Sequence, residues 1–208
     1  MTLKHLSFAV VAAVFGFLMA ACSGSKESTE ENSVITVDEL MANADNLVGD
    51  TVTIDGVCSH LCRHGGRKAF VMGSTDSVMI RCEAFPLMGE AFPKSVIRKP
   101  IQVTGVVVEE RVDEAAVQAM EKQYAESIAQ ADSIAQANPL EAAPVENAAT
   151  HESGCETERA AKGQKDITDF EARMADYRAR IAAREASEGK PYLSFYYLNA
   201  ISYEELPE

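Results

Sequence analysis

Positive charge is scarce in this chain relative to negative. Against 32 Asp and Glu it has 19 Lys and Arg, a formal net charge of −13. Binding a phosphate backbone requires basic patches that neutralise it, so nucleic acid is excluded as a partner. Also missing are a glycine-rich phosphate loop, a dinucleotide fingerprint and a G-x-S-x-G elbow, which removes sequence support for the enzyme classes built on them. There is no C-x-x-C-H, so covalent haem attachment is excluded, and no internal repeat. The N-terminal apolar run, Leu6 to Met19, falls short of the ~20 residues a retained membrane span needs.

That run has one lysine before it and ends in Ala20-Ala21-Cys22, which makes residues 1–21 a secretory signal peptide. The small residues before Cys22 resemble a bacterial lipoprotein lipobox, with Met19 standing where that pattern usually has leucine. The resemblance implies that Cys22 is acylated, becomes the mature N-terminus and ties the protein to a lipid bilayer. Lipoproteins with serine after the cysteine usually go to the outer membrane, so the implied location is a lipid-anchored one there, on the periplasmic side or the cell surface. Residues 22–33 follow as a tether, and "SGSKESTEENS" has no apolar residue. Removing residues 1–21 removes Lys4 and no acid, so −13 becomes −14 in the mature chain.

From Val34 the texture becomes that of a folded domain. "VDELMANADNLVGD" reads as a short helix capped by Asp38 and ended at the Gly49-Asp50 turn. Thr51 to about Cys58, "RKAFVMG", "DSVMIRC" and "IQVTGVVVEERV" read as four strands. The segment with Pro86, Gly89, Pro93 and Pro100 is too broken for another. Four strands leave an open edge. "PYLSFYYLNAISYEEL", rich in aromatic and β-branched residues, reads as the fifth, roughly Tyr192 to Tyr203. Five short strands with "TVTIDG" and "IQVTG" resemble the OB-fold over Val34 to Glu110 plus Pro191 to Leu206. The fold class expected is β with an α insertion: a five-stranded OB-fold-like barrel, residues 34–110 plus 190–206, interrupted between its fourth and fifth strands by a helical hairpin, residues 111–189.

Within that insertion Val117, Met120, Tyr124, Ile128 and Ala131 recur at helical spacing, as do Ile167, Phe170, Met174, Tyr177 and Ile181. The first helix should end before Asn138-Pro139, and the second should open at Asp166 and stop at Gly189. The small, polar linker 137–165 reads as flexible. Two such helices can fold back as an antiparallel coiled-coil-like pair with one apolar seam each, either as internal glue or as a device for a partner.

"GVCSHLCRHGGRKAF" concentrates Cys58, His60, Cys62 and His64 at strict two-residue spacing. In a straight strand all four share a face, with neighbours ~6.6 Å apart and the ends about 20 Å apart. One shared metal therefore requires a bend, which Gly65-Gly66 would permit. Thiolate and imidazole suit zinc or another divalent metal, with Cys82 as a possible extra ligand and His151 and Cys155 behind it. A Cys58–Cys62 disulfide competes, since an exported protein meets an oxidising compartment. "CSHLC" and "HGG" look like pieces of Rieske boxes, but no substantial segment separates them, so that reading fails. Cys62 beside His64 has neither an orienting third group nor an oxyanion site to make it a nucleophile.

The expected function is therefore not enzymatic: a membrane-tethered envelope binding module, with a divalent metal on Cys58, His60, Cys62 and His64. The alternative is an assembly or scaffold lipoprotein whose helices bind an envelope protein, the Cys/His loop being a stapled structural element. Periplasmic OB-fold proteins that handle haem share the architecture without sharing a recognisable motif.

Overall fold

The computed structural model describes residues 33–63, 65–85, 87–137 and 155–207. The signal peptide, Cys22, the tether up to Asn32, His64, and linker residues 138–154 with His151 lie outside them.

Strand β1 (Val34–Thr36) leads into helix α1 (Val37–Asn43). The helix starts at Thr36, whose Oγ1 accepts from the Glu39 N–H at 3.2 Å while the Glu39 carboxylate accepts from the Thr36 N–H at 2.8 Å. Asp38, expected to cap, instead accepts from the N–H and hydroxyl of Ser74 at 2.8 and 2.6 Å. Then come β2 (Thr51–Leu61), β3 (Lys68–Met72), β4 (Met79–Glu83), β5 (Pro100–Val112), helices α2 (Glu114–Ala137), α3 (Glu156–Ala161) and α4 (Phe170–Glu188), and β6 (Leu193–Glu205).

The sheet runs β1-β2-β3-β4-β6-β5, and β5 returns to pair with β2. Strands β2 to β6 thus close a five-stranded mixed barrel, OB-fold-like, with β4 and β6 parallel and its other pairings antiparallel. Closure removes the open edge that the fifth strand was expected to cover. Alternation places Val52, Ile54, Val71, Ile80, Ile101, Val103, Val107 and Leu198 inside, with α1 adding Val37 and Leu40. Gly105 is required by closeness: a Cβ there would sit 2.7 Å from the Asn199 carbonyl oxygen of β6.

Counting β1 changes the place of the insertion. Its three residues pair in parallel with Thr53 to Asp55 and are too few to show a period, so the helices expected between the fourth and fifth strands follow β5 and precede β6. Two further differences come from long-range contacts. Residues 156–161, expected within a flexible linker, form α3, because Glu158 finds Lys68 and Arg81 on the barrel. Helix α4 opens at Asp169, whose carboxylate accepts from the Ala172 N–H at 2.7 Å, three residues after the expected Asp166. Gly189 closes it at φ 69°.

Among the described residues the helices show no coiled coil. Met174, Tyr177 and Ile181 of α4 pack with Val112, Leu193 and Phe195 of the barrel end as well as with Val117 and Met120 of α2. The two helices also meet through a Tyr124–Phe170 stack, 3.9 Å between ring centroids, and through Arg178, which pairs with Glu114 and Glu121. Among the described residues no helix is long and apolar enough to cross a membrane.

Candidate functional site: a polar cleft between barrel and insertion

Where the insertion leaves and re-enters the barrel, a cavity of about 320 Å³ opens between β5, β6, the end of α4 and the end of α1. Glu109 and Arg111 come from β5, Ser194 and Tyr196 from β6, and cross-strand pairing sets Glu109 opposite Tyr196 and Arg111 opposite Ser194. Arg184 reaches in from α4, Lys190 and Tyr192 from the turn after it, and Asp45 from the turn after α1.

These side chains form one hydrogen-bonded chain. Arg184 Nη1 donates to the Tyr192 carbonyl at 2.9 Å and to Ser194 Oγ at 3.0 Å. Ser194 Oγ donates to Glu109 Oε1 at 2.7 Å, and Arg111 Nε donates to Glu109 Oε2 at 3.0 Å. The guanidiniums of Arg111 and Arg184 lie 4.6 and 5.1 Å from the centre of the Tyr192 ring. Arg111 holds the Glu109 carboxyl below its usual range, with Ser194 helping against the opposing effect of burial. Burial, then the Glu109 and Asp45 charges, push the Tyr196 phenol up. The cleft therefore stays charged and doubly signed around neutral pH, with phenol and hydroxyl groups between the charges.

Met41, Ser194 and Tyr196 also line a smaller chamber of about 60 Å³ next to it. Its wall is an ion network centred on Arg81 of β4, whose side chain is 11% exposed. Arg81 donates to Glu110 at 2.8 Å and to Glu158 at 3.1 Å. Its Nε lies 3.0 Å from Glu83 Oε1, close enough for an ion pair but not aligned for a hydrogen bond. Lys68 meets Glu158 at 3.0 Å and Lys162 meets Glu110 at 2.7 Å. Burial alone would raise the Glu110 and Glu158 carboxyls; Lys162 beside the first, Lys68 beside the second and Arg81 beside both lower them overall. Three cations and three carboxylates cancel here, so this wall holds α3 down rather than offering an open charge.

The cysteine and histidine residues are placed differently. Between Cys58 and His60 the register of β2 against β3 shifts by one residue. This bulge breaks the two-residue spacing: Cys58 points into the core at 0% exposure, Leu61 takes the next inward position, and His60 turns to the Phe70 ring at 6.0 Å. The His60 Nε2 is buried and has no hydrogen-bond partner among the described residues. Cys62 is half-buried where the loop begins, and its N–H donates to the Lys68 carbonyl at 2.9 Å. Cys82 is fully buried on β4, and Cys155 is half-buried at the start of α3. All four thiols are free, including Cys58 and Cys62, the expected disulfide partners. Among the described residues no group of three or more His, Cys, Asp or Glu is arranged to hold a metal ion.

The cleft residues were not singled out from the sequence. The available signal was charge inside strand patterns, Arg81 and Glu83 in β4 and Glu109 to Arg111 in β5. The partners of Arg81 and Glu110, Glu158 on α3 and Lys162 just after it, stand 77 and 52 residues away in the chain.

No family model matches this chain, and no curated protein matches it. A solved structure from Leishmania major Friedlin, assigned as an aspartyl-tRNA synthetase, is similar over 42% of this chain at 19% identity with a TM-score of 0.26. The chain spans 18% of that protein's length.

Proposed function

We propose that this chain is a binding module of the cell envelope, tied to the outer membrane by an acylated Cys22, and that the polar cleft is its ligand site. The observation that carries this reading is a cavity of about 320 Å³ lined by Arg111, Arg184 and Lys190 together with Asp45, Glu109, Tyr192 and Tyr196. A volume near the lower end of the ligand-pocket range suits a small molecule. A lining that carries both signs of charge among phenol and hydroxyl groups suits a compound with both a carboxylate and hydroxyl or ammonium groups, such as a sugar acid or an amino acid. The cleft lining contains neither thiol nor imidazole, and its serine is held in a hydrogen-bonded chain, which favours binding over catalysis.

The test joins anchor and ligand. Cys22→Ser should leave the protein soluble or as an uncleaved precursor. The mature domain should gain thermal stability with a member of a sugar-acid and amino-acid panel, because a ligand at 100 times its Kd stabilises by about 2.7 kcal/mol. Arg111→Glu with Lys190→Glu should abolish that gain. Membrane fractionation indifferent to Cys22 overturns the anchor, and a panel without a hit overturns the ligand class.

A further inference from the structure

The far end of the barrel carries a second feature that the cleft does not use. Residues 58–68 contain Arg63, Arg67 and Lys68 and no acid; residues 91–100 contain Lys94, Arg98 and Lys99 and no acid. The fold joins these two connections. The Phe92 N–H donates to the Gly66 carbonyl at 3.0 Å, the Arg98 N–H to the Cys58 carbonyl at 2.7 Å, and the Cys58 N–H to the Lys99 carbonyl at 3.0 Å. Lys68 is taken up by Glu158 and Lys99 by Glu205. Arg63, Arg67, Lys94 and Arg98 are exposed, and among the described residues none of them forms an ion pair. Glu90, Glu204 and Glu205, the last paired with Lys99, are the exposed acids nearby in chain and sheet. An acidic protein thus presents one basic pole.

Arg98 makes that pole more than an accident of composition. Among the described residues it is the one non-glycine with positive φ, at 67°. Glycine would adopt that conformation freely, while an arginine is strained there. Its side chain is exposed and the fold does not need it, so a strained position is spent on a surface charge. Ile97 beside it is 38% exposed, and Leu87, on the same connection between β4 and β5, is 50% exposed. Among the described residues no exposed aromatic ring lies on the pole: Phe92 is buried, and Phe85 is half-buried with the Arg67 guanidinium 4.8 Å from its centre. Val34 pairs with Thr53, towards the other end of β2 from this pole.

We propose that the pole is an interaction surface for an acidic, amphipathic segment of another protein, with carboxylates meeting Arg63, Arg67, Lys94 and Arg98 and an apolar side chain resting on Ile97 and Leu87. Exposed aliphatics on the same connection as Lys94 and Arg98, Ile97 next to Arg98 in the chain, distinguish this partner from a plain polyanion, which would gain nothing from them. On β5 the pole lies at Pro100 and the cleft at Arg111, about 35 Å apart along the strand, so the two readings stand separately.

The experiment titrates the mature chain, with Ser at position 22, with a fluorescent peptide of alternating Glu and Leu. Its Gln-for-Glu counterpart, polyglutamate, heparin, single-stranded DNA and anionic phospholipid vesicles are the comparisons. The Glu-Leu peptide should bind more tightly than all of them, and at least tenfold more weakly at 200 mM than at 50 mM salt. Arg63→Glu with Lys94→Glu should weaken it at least tenfold. Arg98→Gly should weaken it severalfold while raising Tm, an opposite pair of effects that a purely structural arginine would not produce. Unchanged binding in these variants overturns the proposal. So does binding of the Gln counterpart equal to that of the Glu-Leu peptide, or tighter binding of any other comparison.

Discussion

Cys58 and Cys82 sit at 0% exposure on neighbouring sides of the barrel interior, and their burial decides their chemistry. It pushes the Cys58 thiol up to about 11 and raises Cys82 as well, with Cys58 itself adding to that second effect. At pH 8 roughly one Cys58 in a thousand would be thiolate, and that fraction has no access to reagent. Iodoacetamide on the native protein at pH 8 should therefore modify Cys62 and Cys155 and spare Cys58 and Cys82 until denaturant is added, as peptide mass spectrometry would show. Fast labelling of Cys58 would contradict its place in the core. This is where the sequence was hardest to read: four residues at spacing two share a face only while the strand is regular, and the bulge after Cys58 cannot be seen in the composition of "CSHLC". Gly105 is the converse case, a glycine in a strand that does mark close backbone approach. Gly105→Ala should cost about 1–3 kcal/mol by pressing a methyl against the Asn199 carbonyl, read from chemical denaturation with the m-value unchanged.

At the scale of elements, the strands and longer helices were legible because each carries its own period. Alternation marked Val52 and Ile54 or Ile101 and Val103, and three-to-four spacing marked Met174, Tyr177 and Ile181. Helix α3 was not, because it exists through contacts rather than pattern. It has six residues and no buried one, and what holds it is Glu158 on Lys68 and Arg81, with Lys162 beside it on Glu110. That origin makes its docking sensitive to acid. The Glu158 and Glu110 carboxyls are both lowered in the folded state. Their contribution is therefore complete above the ordinary carboxylate value of about 4.3 and is lost as pH falls through the lowered folded values. Hydrogen exchange at residues 156–162 should accelerate below about pH 4 ahead of the barrel strands. Glu158→Gln should produce the same local opening at pH 7 and cost about 1–2 kcal/mol. Exchange in α3 that keeps pace with β3 and β4 at every pH would show that something other than these ion pairs holds it.

The described residues form a barrel whose last hairpin has been opened to admit helices. Strands β5 and β6 pair from Ile101 with Glu205 to Val112 with Leu193, so the chain leaves and returns at adjacent positions. A two-residue Asn-Gly turn in place of residues 113–192 would connect the same register, since such turns join antiparallel strands without splaying them. The five barrel strands and the core from Val37 to Ala200 would remain complete. Two things would be lost. Val112, Leu193 and Phe195 would lose the cover of Met174, Tyr177 and Ile181, and the ion network would lose Glu158 from Arg81 and Lys68, and Lys162 from Glu110. Exposing those apolar side chains should cost about 3–5 kcal/mol, so the shortened protein should unfold cooperatively at a lower Tm. It should keep a dispersed amide spectrum and keep binding at the basic pole, which draws on no residue of the insertion. Binding at the cleft should vanish, because Arg184, Lys190 and Tyr192 go with the insertion. A shortened chain with collapsed amide dispersion would mean that the helices are part of the barrel's folding unit rather than an addition to it.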